Sequence, residues 1–483
     1  MEIDKLKNKA LTGAMWKFSE RVFAQIISLI VSIVLARILD PEHYVSISIV
    51  TIFFTFCNAI ITGGLNTALI QKKDANKEDY SSVLCISFLL SVILYIILFL
   101  TSPLIAMIFN REELILVFRV MGIILIINSI KAVYSAYVSS CLQFKKFFFM
   151  TLVGTTGSAI VGIVLAVEGY GTWALVCQQI TSAVLDTVML FFFSGIRLKI
   201  YFSWKRVREL FRYGLRIFSA TIISAIYDEV SPLIIGLKFA PVHLSYYDKG
   251  KSFPSLVNSA CNDTLNAVLF PAMTKVQDQK EMVLSFTRRF MRISSFCVFP
   301  VMIGFLCIAE NFVFIFLSEK WLPSTIYLQL FCLVYILNFV QTGNLQAIKA
   351  IGRSDIFLKL EVLKKGIYSI VLLIAVLFAK SPITVAFAMI MNTVFATVIN
   401  TYPNKKLLGY RYKMQIMDIL PNFIIACVMG ISVYLLTLLP IVRGVELMLQ
   451  ILVGMLVYIG GAVISKNESF FYLYKLVKRI IGE

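Results

Sequence analysis

The chain reads as an all-α polytopic membrane protein of about fourteen transmembrane helices, two six-helix bundles with two helices added at the C-terminal end. Three observations carry this. Hydrophobic residues fill 59% of the 483 positions and charged residues 15%, whereas soluble domains are about a quarter charged. Apolar runs of about 20 residues, the length that crosses a bilayer core, recur along the whole chain. Basic residues gather in every second connection between those runs.

The runs lie at 12–38, 44–70, 81–108, 114–140, 147–166, 171–194, 212–237, 244–270, 290–310, 324–348, 355–379, 382–402, 415–438 and 444–465. The first is unusual because Lys17, Arg21, Gln25, Ser28 and Ser32 fall at helical spacing and share one face. A charge near the bilayer centre costs about 2.5–3.5 kcal/mol even on the lenient insertion scale. Lys17, Glu20 and Arg21 could pair locally and snorkel to the headgroups. Gln25, Ser28 and Ser32 continue the face inward, however, which implies a polar interior. The runs at 147–166 and 382–402 are the most diluted by glycine, threonine and asparagine.

Loop charge tests this map. Connections on one side hold about 29 lysines and arginines and those on the other about 5, and the basic side is the cytoplasmic one. Both termini are therefore expected in the cytoplasm of a multi-pass inner-membrane protein. The start, Met1 to Lys9, is a basic flank, and the apolar segment after it is too long for a signal peptide's core. Most of the +18 net charge is thereby topogenic and gives no reason to expect a nucleic-acid partner. The tail from Tyr472 to Ile481 alternates as a short amphipathic anchor on the inner leaflet.

Phe18-Ser19 and Pro41-Glu42-His43 recur 200 residues on as Phe218-Ser219 and Pro241-Val242-His243. The first and seventh helices then run in the same direction, as in a parallel repeat. The expected organisation is an N-terminal bundle at 1–194, a basic connector at 195–211 and a second bundle at 212–402. Helices thirteen and fourteen occupy 403–465, and an amphipathic tail 466–483.

Every outward connection is short, so no soluble domain holds a catalytic site, and the chain is expected not to be an enzyme. His43 and His243 stand at helix ends, where capping is the ordinary role. Phosphate-loop, paired-cysteine and nucleophile-elbow motifs are absent from the sequence, which excludes an ATP-driven pump. The nine cysteines lie in or beside apolar runs and read as packing residues. What remains is a set of charges inside the membrane runs. Lys17, Arg21, Lys131, Arg216 and Lys249, with Gln25, Ser28 and Ser32, are candidates for binding an anionic group and its polar attachment. Glu20, Asp228 and Glu229 are candidates for a coupling proton or sodium ion, or for pairing with those cations. Asp186 is a further intramembrane acid. No cofactor or metal is expected.

Several stretches, Leu35–Pro41, Ala68–Lys73, Gly169–Val176, Tyr246–Pro254, Leu269–Met273, Asn344–Ile348 and Gly352–Asp355, occur in an order and spacing that resemble the Wzx-type oligosaccharide flippases. These belong to the polysaccharide transport family, in the superfamily that also holds MATE exporters and the lipid II flippase. The resemblance runs from about residue 12 to 413; Val45 departs from the glycine usual there. It implies a V of two six-helix bundles around a cavity, and a role in lipopolysaccharide biosynthesis or in teichuronic or colanic acid export. The implied substrate is an undecaprenyl-diphosphate-linked oligosaccharide moved between leaflets by alternating access, with membrane lipids, a polymerase and other export components as partners. A MATE-type cation-coupled antiporter is the alternative; its lining should be acid-rich, against the basic excess here.

Overall fold

The computed structural model describes residues 2–62, 64–72, 75–141, 143–198, 201–274, 276 and 278–481. Side chains are described for these apart from 2–15, 17–18, 67, 71, 144, 212–213, 216–217, 220, 260–272, 274, 354, 476–477 and 479–481. Among the described residues the chain is helical, without strands. Its contacts divide it into two compact units, Met1–Ser245 and Tyr246–Glu483.

The first unit holds α1 (Glu2–Ile38), α2 (Pro41–Thr62), α3 (Leu65–Gln71), α4 (Lys77–Phe109), α5 (Glu113–Met121), α6 (Ile123–Ser140), α7 (Phe144–Val167), α8 (Thr172–Ser194) and α9 (Trp204–Lys238). The run expected at 44–70 is broken between α2 and α3, where Gly64 has φ +88° and a Cβ would stand 2.4 Å from the Gly214 carbonyl oxygen. Only glycine allows α9 to approach that turn so closely. The segment expected to be a connector is helical from Trp204, and α9 packs on α2, α3 and α4. Helix α4 starts on a capping box, with Asn76 Oδ1 accepting from the Asp79 backbone N–H and Asp79 Oδ2 from that of Asn76, each at 3.0 Å. Asp79 is buried and also receives Lys72 and Arg206, which ties the turn to the start of α9.

In α10 (Val242–Thr274) the chain passes into the second unit. Then follow α11 (Lys280–Phe312), α12 (Thr325–Tyr335), α13 (Asn338–Ala350), α14 (Ser354–Phe378), α15 (Pro382–Leu407), α16 (Tyr412–Leu435), α17 (Arg443–Ile464) and α18 (Glu468–Ile481). Trp321, Tyr247, Tyr327, Phe299, Phe331 and Phe339 fill its core, with Tyr247 edge-on to Phe331 at 5.0 Å.

Among the described residues eleven helical segments are long and apolar enough to cross a membrane. Helix α14 falls outside that set and carries Lys359, Glu361, Lys364 and Lys365. Leu100, Met107, Phe192, Phe378, Met448 and Leu456 are each 70% or more exposed. So broad an apolar exterior suits lipid rather than water. The chain is a multi-pass, all-α membrane protein.

Candidate functional site

In the first unit four helices bring charged and polar groups together among apolar neighbours. Trp16 and Phe23 of α1 pack on Phe148 of α7, with ring centroids 5.4 and 5.7 Å apart, and fix which face of α1 the unit covers. Glu20 lies on that face and accepts a hydrogen bond from Thr151 Oγ1 of α7 at 3.1 Å. Lys131 of α6 donates to Asp186 Oδ2 of α8 at 2.5 Å. The Asp186 side chain keeps 14% of its exposure and that of Lys131 30%. The other carboxylate oxygen, Oδ1, is buried without a hydrogen-bond partner among the described residues. Gly154 of α7 makes room for it, since a Cβ there would stand 1.8 Å from Oδ1. Glu20 is near enough to act electrostatically on Asp186. The cluster lies about eight residues, roughly 12 Å, inside the end of α8 that leads to the basic segment after Ser194.

The polar stripe of α1 lies roughly 120° around the helix from the packed face. Arg21 and Ser28 are exposed, and Gln25 and Ser32 half-buried, so the packing covers this face only in part. Asp228 on α9 is exposed and Glu229 half-buried. The side chains of Lys17 and Arg216 lie outside the described residues. Lys249 belongs to the second unit, where it is 6% exposed with its ammonium 5.2 Å from the centre of the Trp321 ring. Glu20 and Lys131 are thus neighbours of one cluster, whose other members, Thr151 and Asp186, sequence reasoning did not join to them. An acid in the middle of an apolar run was the available signal for Asp186. Nothing in the sequence marked Thr151. His43 accepts the Asp40 backbone N–H on Nδ1 at 3.2 Å, a helix-end role.

The second unit carries a contrasting polar set. Asn344 of α13 donates to Gln415 Oε1 of α16 at 2.9 Å, and Asn404 of α15 donates to Asn344 Oδ1 at 2.6 Å. Gln341 reaches Thr397 and accepts from Asn400, which extends the ladder along α15. Asn344, Asn400 and Asn404 are completely buried. Between α11, α16 and α17 lies an apolar cavity of 530 Å³ lined by Phe305, Phe312, Met429, Met455 and Tyr458 among others.

The family model described as polysaccharide biosynthesis protein matches residues 34–326. The chain is 27% identical over 364 residues to an uncharacterized membrane protein of the cps region of Klebsiella pneumoniae, covering 71% of this chain and 72% of that one. It is 22% identical over 442 residues to the lipopolysaccharide biosynthesis protein WzxC of Escherichia coli strain K12, covering 88% of each. The fold matches the lipid II flippase MurJ in an inward closed conformation, with a TM-score of 0.75 and 18% identity over 95% of this chain and 99% of that one. Multidrug transporters of the MATE family share the fold as well. With more than half of its length matched by that model, the chain belongs to the polysaccharide biosynthesis protein family.

Proposed function

We propose that this protein flips undecaprenyl-diphosphate-linked oligosaccharide units across the cytoplasmic membrane by alternating access, for assembly of a cell-surface polysaccharide. The observation that carries the reading is the polar face of α1. Arg21, Gln25, Ser28 and Ser32 run along a face of α1 turned away from the packed one, with Arg21 and Ser28 exposed and Gln25 and Ser32 half-buried. A polar stripe in a lipid-crossing helix is sustained only by a polar neighbour, and a lipid-linked sugar diphosphate is such a cargo.

In this reading Lys17, Arg21 and Arg216 hold the diphosphate, and Lys249 is a further candidate cation. The sugar meets Gln25, Ser28 and Ser32. The isoprenoid tail stays in the lipid. Lys131 has its charge neutralised by Asp186, which suits the pair to proton or sodium coupling with Glu20 better than to cargo binding. Asp228 and Glu229 are further coupling candidates. The basic connections face the cytoplasm of the inner membrane, with both termini on that side. A polymerase and other export components would take the product. No step calls for bond making or breaking.

The test is the lipid extract of cells that lack the protein. Inward-facing polyprenyl-diphosphate oligosaccharide should accumulate, and the Lys17→Gln, Arg21→Gln double variant should fail to clear it although it reaches the membrane. Normal lipids together with altered drug tolerance would replace this reading with a cation-coupled antiporter.

A further inference from the structure

Helix α11 is longer than a membrane needs. Its 33 residues rise about 50 Å, against a hydrocarbon core of about 30 Å. From Ile293 to Phe312 it carries only Glu310 as a charge, so its first dozen residues stand at the headgroup layer. They include Glu281, Arg288 and Arg289, and Arg292 follows directly.

The tail helix α18 is fastened against this end. Asn467 caps it, accepting the Ser469 backbone N–H at 3.0 Å, and donates to Asn422 Oδ1 of α16 at 2.7 Å. Glu468 pairs with Arg292, and the Phe470 ring stands 6.2 Å from Phe296 of α11. Phe471, Tyr472 and Tyr474 remain exposed, as on a helix lying in the membrane interface. Between α11 and α18 is a cavity of 410 Å³, within the roughly 300–1,000 Å³ of small-molecule sites.

Its lining mixes both signs. Arg288 and Arg292 grip the buried carboxylate of Asp418 at 2.8–2.9 Å, which fixes their guanidinium planes. The Nη1 amine of Arg288 has no partner among the described residues. Arg289 makes no ion pair there either, and lies 5.0 Å from the centre of the Tyr472 ring. Glu281 and Glu468 line the same space, with Ser285 and Ser469 as hydroxyls. A plain anion would meet two carboxylates as well as three guanidiniums. A headgroup with a phosphate and a primary ammonium meets both: the phosphate on Arg288 and Arg289, the ammonium on Glu281.

We infer that this cavity binds the phosphoethanolamine head of a membrane phospholipid, seated between α11 and α18 in the leaflet that faces the basic end. The inference is independent of the cargo assigned above. Purified full-length protein in nanodiscs of phosphatidylethanolamine and phosphatidylglycerol, then stripped with detergent, should retain phosphatidylethanolamine at about one per chain by mass spectrometry. Arg289→Gln, which breaks no ion pair, should lower that retention about tenfold, and Glu281→Gln should abolish the preference over phosphatidylglycerol. Arg353→Gln, on a loop of the same unit, should change neither. Replacing the lipid by phosphatidylcholine, whose methylated nitrogen donates no N–H, should lose retention. Equal retention of all three lipids would overturn the proposal. So would unchanged retention in Arg289→Gln, loss in Arg353→Gln, or competition by soluble phosphoethanolamine at the lipid's own concentration.

Discussion

Two polar clusters sit among the membrane helices, one made of ions and one of amides. Between α1, α6, α7 and α8, Glu20, Lys131 and Asp186 share a space that Gly154 holds open, and one oxygen of Asp186 is left without a hydrogen bond. Between α13, α15 and α16, Asn344 and Gln415 each donate and accept, Asn404 donates to Asn344, and Gln341 and Asn400 continue the row. Two neutral oxygens of this row, Asn400 Oδ1 and Asn404 Oδ1, are also buried without a hydrogen bond among the described residues, but no charge is stranded there. Burying an ion costs several kcal/mol more than burying an amide, and an amide supplies both halves of a hydrogen bond. The amide ladder therefore works as glue between helices, at a cost the fold recovers. The ionic cluster has no such return: an apolar set of the same volume would pack as well or better, which is why the proposed function gives it the coupling role.

The sharpest way to break this comparison is to remove the counter-ion. Asp186→Leu leaves the Lys131 ammonium uncompensated and should cost about 3 kcal/mol, the lower end of the range for buried pairs because Lys131 keeps some exposure. Transport should cease. Lys131→Met added to Asp186→Leu should return stability to within about 1 kcal/mol of the parent while transport stays absent. Thermal unfolding in detergent and cargo accumulation in cells read the two quantities separately. If the double variant transports, the ions are scaffolding and the contrast with the amides disappears.

An intermediate effect is expected in the ladder. Asn344→Leu takes the donor from Gln415 Oε1 in a buried site, while the N–H groups of Asn404 and Gln415 keep the backbone carbonyls of residue 344 and Tyr410, and the lost donor should cost about 2 kcal/mol. Transport per folded molecule should be unchanged. A fall in transport without a fall in stability would give the amides a functional share.

The membrane runs were legible because lipid imposes one strict demand, about 20 apolar residues, and loop charge supplies an independent count. Hydropathy reads lipid contact, not helix length, so it missed that α9 starts at Trp204 and α11 at Lys280, where the helices extend past the core. It also ran through the break at Gly64, whose cause is a backbone contact with Gly214, 150 positions away. The face of α1 was legible from spacing within one helix. The ionic cluster was legible only in part, because Lys131 and Asp186 stand 55 residues apart and Glu20 and Thr151 stand 131 apart. One-dimensional spacing reports partners on the same helix, and these lie on four. The lining between α11 and α18 was hidden for the same reason; the arginines of α11 had been counted as topogenic charge, which does not say what they grip.

The smallest effect tests whether chemistry or location separates the two clusters. Ser91 of α4 and Ser129 of α6 are completely buried and lie in the same unit as the ions, with Ser91 Oγ donating to Ser129 Oγ at 3.2 Å. Each hydroxyl also reaches a carbonyl of its own helix at 2.7 Å, Ser91 to Phe88 and Ser129 to Ile126. Ser129→Ala therefore strands nothing, because Ser91 keeps its local acceptor. The loss should be about 0.6 kcal/mol, the average for polar contacts between membrane helices, with transport intact. Ser129→Leu should cost more, about 1–3 kcal/mol, since a large side chain pushes apart two helices that pack through small ones. A cost in Ser129→Ala approaching that of Asp186→Leu would mean that any polar loss in this unit is severe. Burial in the first unit, rather than ionisation, would then be what sets Glu20, Lys131 and Asp186 apart.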